Sequence, residues 1–241
     1  MSKEQARRFY EATYQSAHEP NRFFEDQCAQ KVEKYIRPFI KDCRTILDYG
    51  CGPGGKLAAL IGEGFEVFAH DVNHNFVQYA ISHGLKPWDQ SFRYDCVFLS
   101  HTIEHWINPF DDLAVLLEQN LQPGGRVVIE VPLVDRLILG DRRGGFREET
   151  HLAHVWYFSV NTLSALMGRL GCQLIFSDHV TTCIFQKNLT DKRSAELSSP
   201  WRTRGLLATV ASARLPVIAA VLRRLNRIVK FVNIDFRRVA C

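Results

Sequence analysis

The segment ILDYGCGPGGKLAAL, residues 46–60, constrains the fold of this chain more than any other. A short apolar run stops at closely spaced glycines, Gly50, Gly52, Gly54 and Gly55, and the sequence then resumes with helix formers. A strand that turns through glycine directly into a helix brings backbone N–H groups and a helix N-terminus close to a ligand. Asp48 stands two residues before the first glycine, and Asp71 ends the next strand-like run, 23 residues further on. An acid at that second position can accept hydrogen bonds from both hydroxyls of a ribose.

Periodicity places this unit within a larger repeating pattern. Residues 3–17 and 21–40 carry apolar and aromatic side chains at helical spacing, among them Phe9, Tyr14, Phe24, Val32 and Ile36. From Thr45 the period shortens. Strands are predicted at 45–49, 65–69, 94–99, 126–131, 173–176 and 182–186. Helices are predicted at 56–61, 74–82 and 110–121, and from an N-cap at Ser159 through Leu170, with Gly171 as the stop. QPGG at 122–125 reads as a turn. Strands alternating with helices imply an α/β fold whose mostly parallel sheet is covered on both faces.

The expected organisation has N-terminal helices over 1–40, on the cap or acceptor side, and a ligand-binding domain over 41–187. NLTDKRSAELSSP, 188–200, has few large apolar residues and reads as a linker, followed by a helical tail over 201–241. The formal net charge of +4 is unevenly distributed: the tail holds nine Arg or Lys and one acid, Asp235, so it carries +8 and the first 200 residues carry −4. That division argues against a protein-wide nucleic-acid surface. In LPVIAAVLRRLNRIVKFV an apolar stripe opposes Arg223, Arg224, Arg227 and Lys230, which suits an anionic membrane surface or a partner helix. Arg214 and Pro216 interrupt the one long apolar stretch, which disfavours a transmembrane span. The charged N-terminus lacks a secretory signal, and seven scattered cysteines without a CxxC pair suggest reduced thiols. The expected location is the cytoplasm, with peripheral attachment to the inner membrane face through the tail.

The glycine loop alone does not distinguish a dinucleotide from an amino-acid-bearing nucleoside, since Gly50-x-Gly52-x-x-Gly55 also fits a dinucleotide fingerprint. Asp48 favours the second, because a carboxylate beside the loop can meet an ammonium group that NAD lacks. YDCVFLSHTIEHW (94–106) and LQPGGRVVIEVP (121–132) bring two more strand ends to the same crevice. With these motifs in this order, residues 40–187 resemble the class I S-adenosylmethionine-dependent methyltransferases. Asp48-x-Gly50-x-Gly52-x-Gly54 looks like their first motif and Asp71 like their ribose acid. SHTIEH is similar to the motif after the fourth strand in the branch that includes ubiquinone-biosynthesis methyltransferases. FSVNTLSALMGRLG, with its preceding histidines, looks like surface-polysaccharide methyltransferases. The resemblance implies a Rossmann-like, doubly wound sheet of seven strands, the last antiparallel, and S-adenosylmethionine as cofactor with S-adenosylhomocysteine as product. Only HGLKPWDQSFR (83–93) fills the place of the family's third strand and acidic loop, so that region is expected to be shortened. The cofactor-binding set implied is Asp48, Gly50, Gly52, Gly54, Asp71, Val72, Ser100 and His101, with Trp88 or Asp89 near the adenine.

Methyl transfer from a sulfonium is an in-line displacement that needs alignment, and a hydroxyl acceptor also needs a base. His105, in the Glu104-His105 pair after the fourth strand, is the first candidate; the alternative role for that pair is bracing the loop around the cofactor. His151 is the second candidate, in FREETHLAHVWYFS, where Arg147 suits a phosphate or carboxylate on the acceptor. That stretch reads equally as a solvated loop. His101, His105, His151 and His154 raise the question of a metal site, but no helix is predicted at either pair, and no metal is assigned. SHTI stands where enzymes acting on planar amino groups carry Asn/Asp-Pro-Pro-aromatic, which disfavours exocyclic amines. The expected activity is O-methylation of a small molecule, glycan or lipid-linked intermediate. A non-catalytic S-adenosylmethionine-binding partner protein is the alternative, and an NAD-dependent reductase the third reading, disfavoured by the lack of a Tyr-x-x-x-Lys pair.

Overall fold

A computed structural model describes residues 19–134 and 154–189. Seven strands form one sheet: β1 (Thr45–Tyr49), β2 (Glu66–His70), β3 (Lys86–Pro87), β4 (Tyr94–Ser100), β5 (Leu121–Glu130), β6 (Cys172–Ser177) and β7 (Thr182–Lys187). Their spatial order is β3-β2-β1-β4-β5-β7-β6. Pairing is parallel from β3 across to β5, and β7 inserts antiparallel between β5 and β6. The expected Rossmann-like sheet with an antiparallel last strand is therefore present. Its third strand is cut to two residues, as HGLKPWDQSFR left room for no more.

Alternating side chains on the central strands fill two apolar layers. Leu47, Val97, Leu99, Val127 and Ile129 face α5 (Pro109–Asn120) and α6 (Val160–Arg169). Ile46, Cys96, Phe98, Val128 and Ile184 face α2 (Glu33–Ile40), α3 (Ala58–Ile61) and α4 (His74–Ser82). With both faces covered, the strands need the continuous apolar character seen in TILDY and CVFLS. α1 (Pro20–Ala29) precedes α2, and the two together occupy the predicted helical stretch 21–40. Lys31, at φ 50, breaks it into two. Ile36 and Ile40 of α2 are almost wholly inaccessible, so this helix is part of the sheet's own core.

Two local differences from the sequence reading have clear causes. QPGG does not separate α5 from β5 as a turn. Leu121 already pairs with Tyr94, and the register then shifts before Arg126 meets Cys96, so the glycines form an irregularity inside the strand. The left-handed backbone of Gly124, at φ +76, accommodates the extra residues. The helix predicted at 56–61 begins two residues late, at Ala58, and Lys56 before it turns inward to a buried partner. No helix among the described residues is long and apolar enough to cross a membrane. The tail at 201–241, the linker beyond residue 189 and the first helical stretch lie outside the described residues.

Ser159 caps α6 as the sequence predicts. Its hydroxyl accepts from Thr162 N, and Thr162 Oγ1 accepts from Ser159 N, a reciprocal capping box. Ser159→Ala should lower unfolding free energy by about 1 kcal/mol in chemical denaturation, with Ser159→Asp largely retaining it. An unchanged stability in the alanine variant would show that the cap carries no weight.

Candidate functional site

The carboxyl ends of β1, β2, β4 and β5 meet around the glycine loop, where ligands bind in open α/β sheets. Gly50 takes φ +88, and its N–H donates to His70 O at 2.7 Å. A Cβ at this position would collide with the Thr102 side chain, so both backbone angle and space require glycine. Gly55 has no room either, because the Phe24 carbonyl of α1 lies where its Cβ would be. Gln27 of α1 clasps the loop from that side: its Oε1 accepts from Gly55 N at 2.8 Å and its Nε2 donates to Cys51 O at 3.2 Å. Sequence periodicity marked α1 as helical but gave no sign that it seals the loop.

Asp48 lies beneath the glycines, 1% exposed, and its Oδ2 has no hydrogen-bond partner. Burial pushes its carboxyl up to about 8, with Asp71 and Glu130 adding to the rise and Lys56 opposing it. A buried carboxylate in this state suits an incoming cation. Asp71 closes the other side. Its Oδ2 accepts from Gly52 N and its Oδ1 from Asn73 N, both at 2.8 Å. Each oxygen keeps lone-pair capacity for a further donor, such as a ribose hydroxyl. Burial raises Asp71 as well, partly offset by those backbone bonds. Val72 follows, half exposed.

A polar network spans the floor. Lys56 Nζ donates to Ser100 Oγ at 2.6 Å and pairs with Glu130 Oε2 at 3.0 Å, Ser100 Oγ donates to Glu130 Oε2, and Tyr35 OH donates to Glu130 Oε1. Burial alone would raise the Glu130 carboxyl, but Lys56 and the hydroxyl donors outweigh it and hold it below the ordinary value. Ser100, expected to touch cofactor, has its hydroxyl committed to this network. Neither Lys56 nor Glu130 was singled out from sequence. The signal was there: a charge directly after the glycine loop, and a lone acid ending the apolar run VVIE.

His101 follows β4 in the left-handed region, at φ 49, held by its N–H donating to Glu130 O at 2.8 Å. Such backbone strain in a non-glycine residue concentrates at functional sites. A 3₁₀ turn, Ile103–His105, then presents Glu104 and His105, and His154 lies beside them with ring centroids 4.8 Å apart. Arg147 and His151 lie outside the described residues. At the ends of β1 and β2, Tyr49 stacks on His70, and Trp88 meets both edge-on. His70 Nδ1 and Trp88 Nε1 are buried without hydrogen-bond partners. Burial, then the charge of His74, lowers His70 to about 4. Asp89 accepts from Ser91 N and Oγ within its own turn.

Comparison with known proteins agrees with this geometry. A family model described as a methyltransferase domain matches residues 17–176. Curated relatives named tRNA U34 carboxymethyltransferase include one from Idiomarina loihiensis, 28% identical over 67% of this chain and 56% of its own length. Another, from Shewanella denitrificans, is 26% identical over 57% of this chain and 45% of its own length. The chain thus spans about half the length of the curated relatives it matches. Among solved structures, a 1,6-didemethyltoxoflavin-N1-methyltransferase from Burkholderia thailandensis, with its substrate and S-adenosylhomocysteine bound, superposes with TM-score 0.59 at 17% identity, over 78% of this chain and 91% of that one. A SAM-dependent methyltransferase from Archaeoglobus fulgidus gives 0.52 at 21% identity, over 68% and 94%. At these identities the structural likeness establishes the fold.

Asp48 makes a pH prediction for the ligand-free protein. Its folded value of about 8 lies above the ordinary 3.8, so the folded state holds the proton more tightly. Stability from this group is complete below 3.8 and is lost as pH rises toward 8. Asp48→Asn removes the penalty, so its stability relative to wild type should grow across that window in denaturation at stepped pH. A difference that does not change with pH would contradict the assigned state of Asp48.

Proposed function

The chain belongs to the methyltransferase-domain family, and we propose that it binds S-adenosylmethionine around the glycine loop and methylates an oxygen of a small-molecule acceptor. The observation that carries this reading is the unpartnered, fully buried Asp48 oxygen beside a glycine loop whose far side is closed by Asp71. Asp48 would take the ammonium of the amino-acid end and Asp71 the ribose hydroxyls, while Trp88 and Val72 flank the base. When bound, the cofactor's sulfonium supplies an electrophilic methyl group. The described residues of the crevice suit that positive charge: Asp48, Asp71, Glu104 and Glu130 are set against one lysine, Lys56, itself paired with Glu130. The same balance disfavours a donor bearing a further carboxylate, so plain methyl is the group proposed.

His101, Glu104, His105 and His154 would form the acceptor side, at the carboxyl edge of β4. A hydroxyl placed there has imidazoles within reach for its proton, which favours oxygen as the atom modified. A glycan or lipid-linked acceptor extends this reading, with the cationic tail at 201–241 bringing the domain to an anionic surface. An RNA acceptor is a second reading, favoured by the names of the curated relatives and the same basic tail.

Calorimetry should show S-adenosylhomocysteine binding that Asp71→Ala weakens by about 1.5–3 kcal/mol, the scale for hydrogen bonds to a charged group. Methyl-labelled cofactor incubated with small-molecule extract and with total tRNA separates the two acceptor readings. With the acceptor in hand, His105→Ala should lose about 10²–10⁴-fold in turnover. Cofactor binding with no transfer to any acceptor would point instead to a non-catalytic partner protein.

A further inference from the structure

Glu104 is the least compensated charged side chain near the crevice. It is 1% exposed, and neither carboxylate oxygen accepts a hydrogen bond. A carboxylate buried in this way is costly unless a cation shares its surroundings. Two imidazole nitrogens approach its Oε1, His101 Nδ1 at 3.4 Å and His154 Nε2 at 3.9 Å. One ligand-type atom each from Glu104, His105 and His154 lies within 4.8 Å of the others.

Backbone geometry fixes this meeting. Val155 and Trp156 donate their N–H groups to Glu104 O at 2.8 and 3.0 Å, and Trp156 Nε1 donates to Trp106 O at 2.8 Å. Residues fifty apart in sequence are thereby buckled together at three points. The histidine spacing alone did not predict this, because His105 sits on a 3₁₀ turn and His154 on an irregular segment.

We propose that Glu104, His105 and His154 bind a divalent transition-metal ion of the zinc class, with one coordination position left for the acceptor oxygen. Two imidazoles and a carboxylate form a ligand set that zinc takes where it keeps an open position. Magnesium and calcium prefer all-oxygen surroundings, so the two imidazoles select against them. His101, with Nδ1 3.4 Å from Glu104 Oε1, would orient that carboxylate, as outer partners of metal ligands do. The inference rests on reading the turn after β4 as the acceptor side and gives that side its chemistry. A coordinated hydroxyl loses its proton to solvent near neutral pH, and His105 serves as ligand in place of base.

The test uses the full chain, stripped with chelator and titrated with Co²⁺ while its visible d–d absorption is followed, with Zn²⁺ as competitor. Saturable absorption at one equivalent, displaced by Zn²⁺, is the expected result. Glu104→Gln and His154→Ala should each weaken Co²⁺ binding more than about 100-fold, beyond the 10–100-fold cost of losing an outer-shell partner. S-adenosylhomocysteine binding, measured in parallel, should persist in both variants, which confirms folding and keeps the metal result separate from the cofactor reading. A wild-type spectrum indistinguishable from aqueous Co²⁺, or equal binding by wild type and Glu104→Gln, would overturn the proposal.

Discussion

The buried pair between Lys56 and Glu130 is the interaction on which the site depends. Lys56 leaves the glycine loop, Glu130 ends β5, and Ser100 at the end of β4 bonds to both, so two strand ends and the loop share one network. Tyr35 brings α2 into it. A buried ion pair adds little net stability, but removing one member leaves an uncompensated charge and costs about 3–5 kcal/mol. Its value here is geometric. Asp48 sits beside the network, whose lysine tempers its charge, and the Glu130 carbonyl holds His101 in its left-handed conformation.

From that anchor the crevice divides into two chemical halves. Toward β2, Asp48 and Asp71 offer acceptors suited to an amino acid joined to a nucleoside, on a glycine loop whose own N–H groups are bonded within the protein. Toward α5, the 3₁₀ turn and the segment from His154 to Trp156 bring imidazoles around a buried carboxylate. α1 seals the loop from outside through Gln27, with Phe23 packed edge-on against Phe76 of α4. A methyl group carried between the halves would be held in line by rigid elements, which is what a displacement at carbon requires.

Much of this frame was legible in the sequence because local rules and the fold agree. TILDY followed by glycines marks β1 and the loop, and Ser159 caps the helix it precedes, as its position indicates; Asn73 does the same for α4 without having been read from the sequence. QPGG was misread because its turn chemistry produced a register shift inside β5. Lys56 and Glu130 each stand out locally as a charge beside an apolar or glycine run, but nothing local shows that two charges 74 residues apart pair with each other. The meeting of His105 with His154 was equally invisible, since it is made by backbone bonds across two irregular segments. Ser100 was assigned by its position at a strand end, which does not reveal that its hydroxyl points into the buried network.

We propose that Asp48, whose carboxyl burial pushes up to about 8, is protonated when the crevice is free and ionises to receive a ligand's ammonium group. Calorimetric titration of S-adenosylhomocysteine near neutral pH, repeated in buffers of different ionisation enthalpy, counts the protons exchanged on binding. Wild type should release protons as it binds, and Asp48→Asn should bind more weakly with that release abolished. Binding of NAD in place of S-adenosylhomocysteine, or equal proton release by the two proteins, would contradict it.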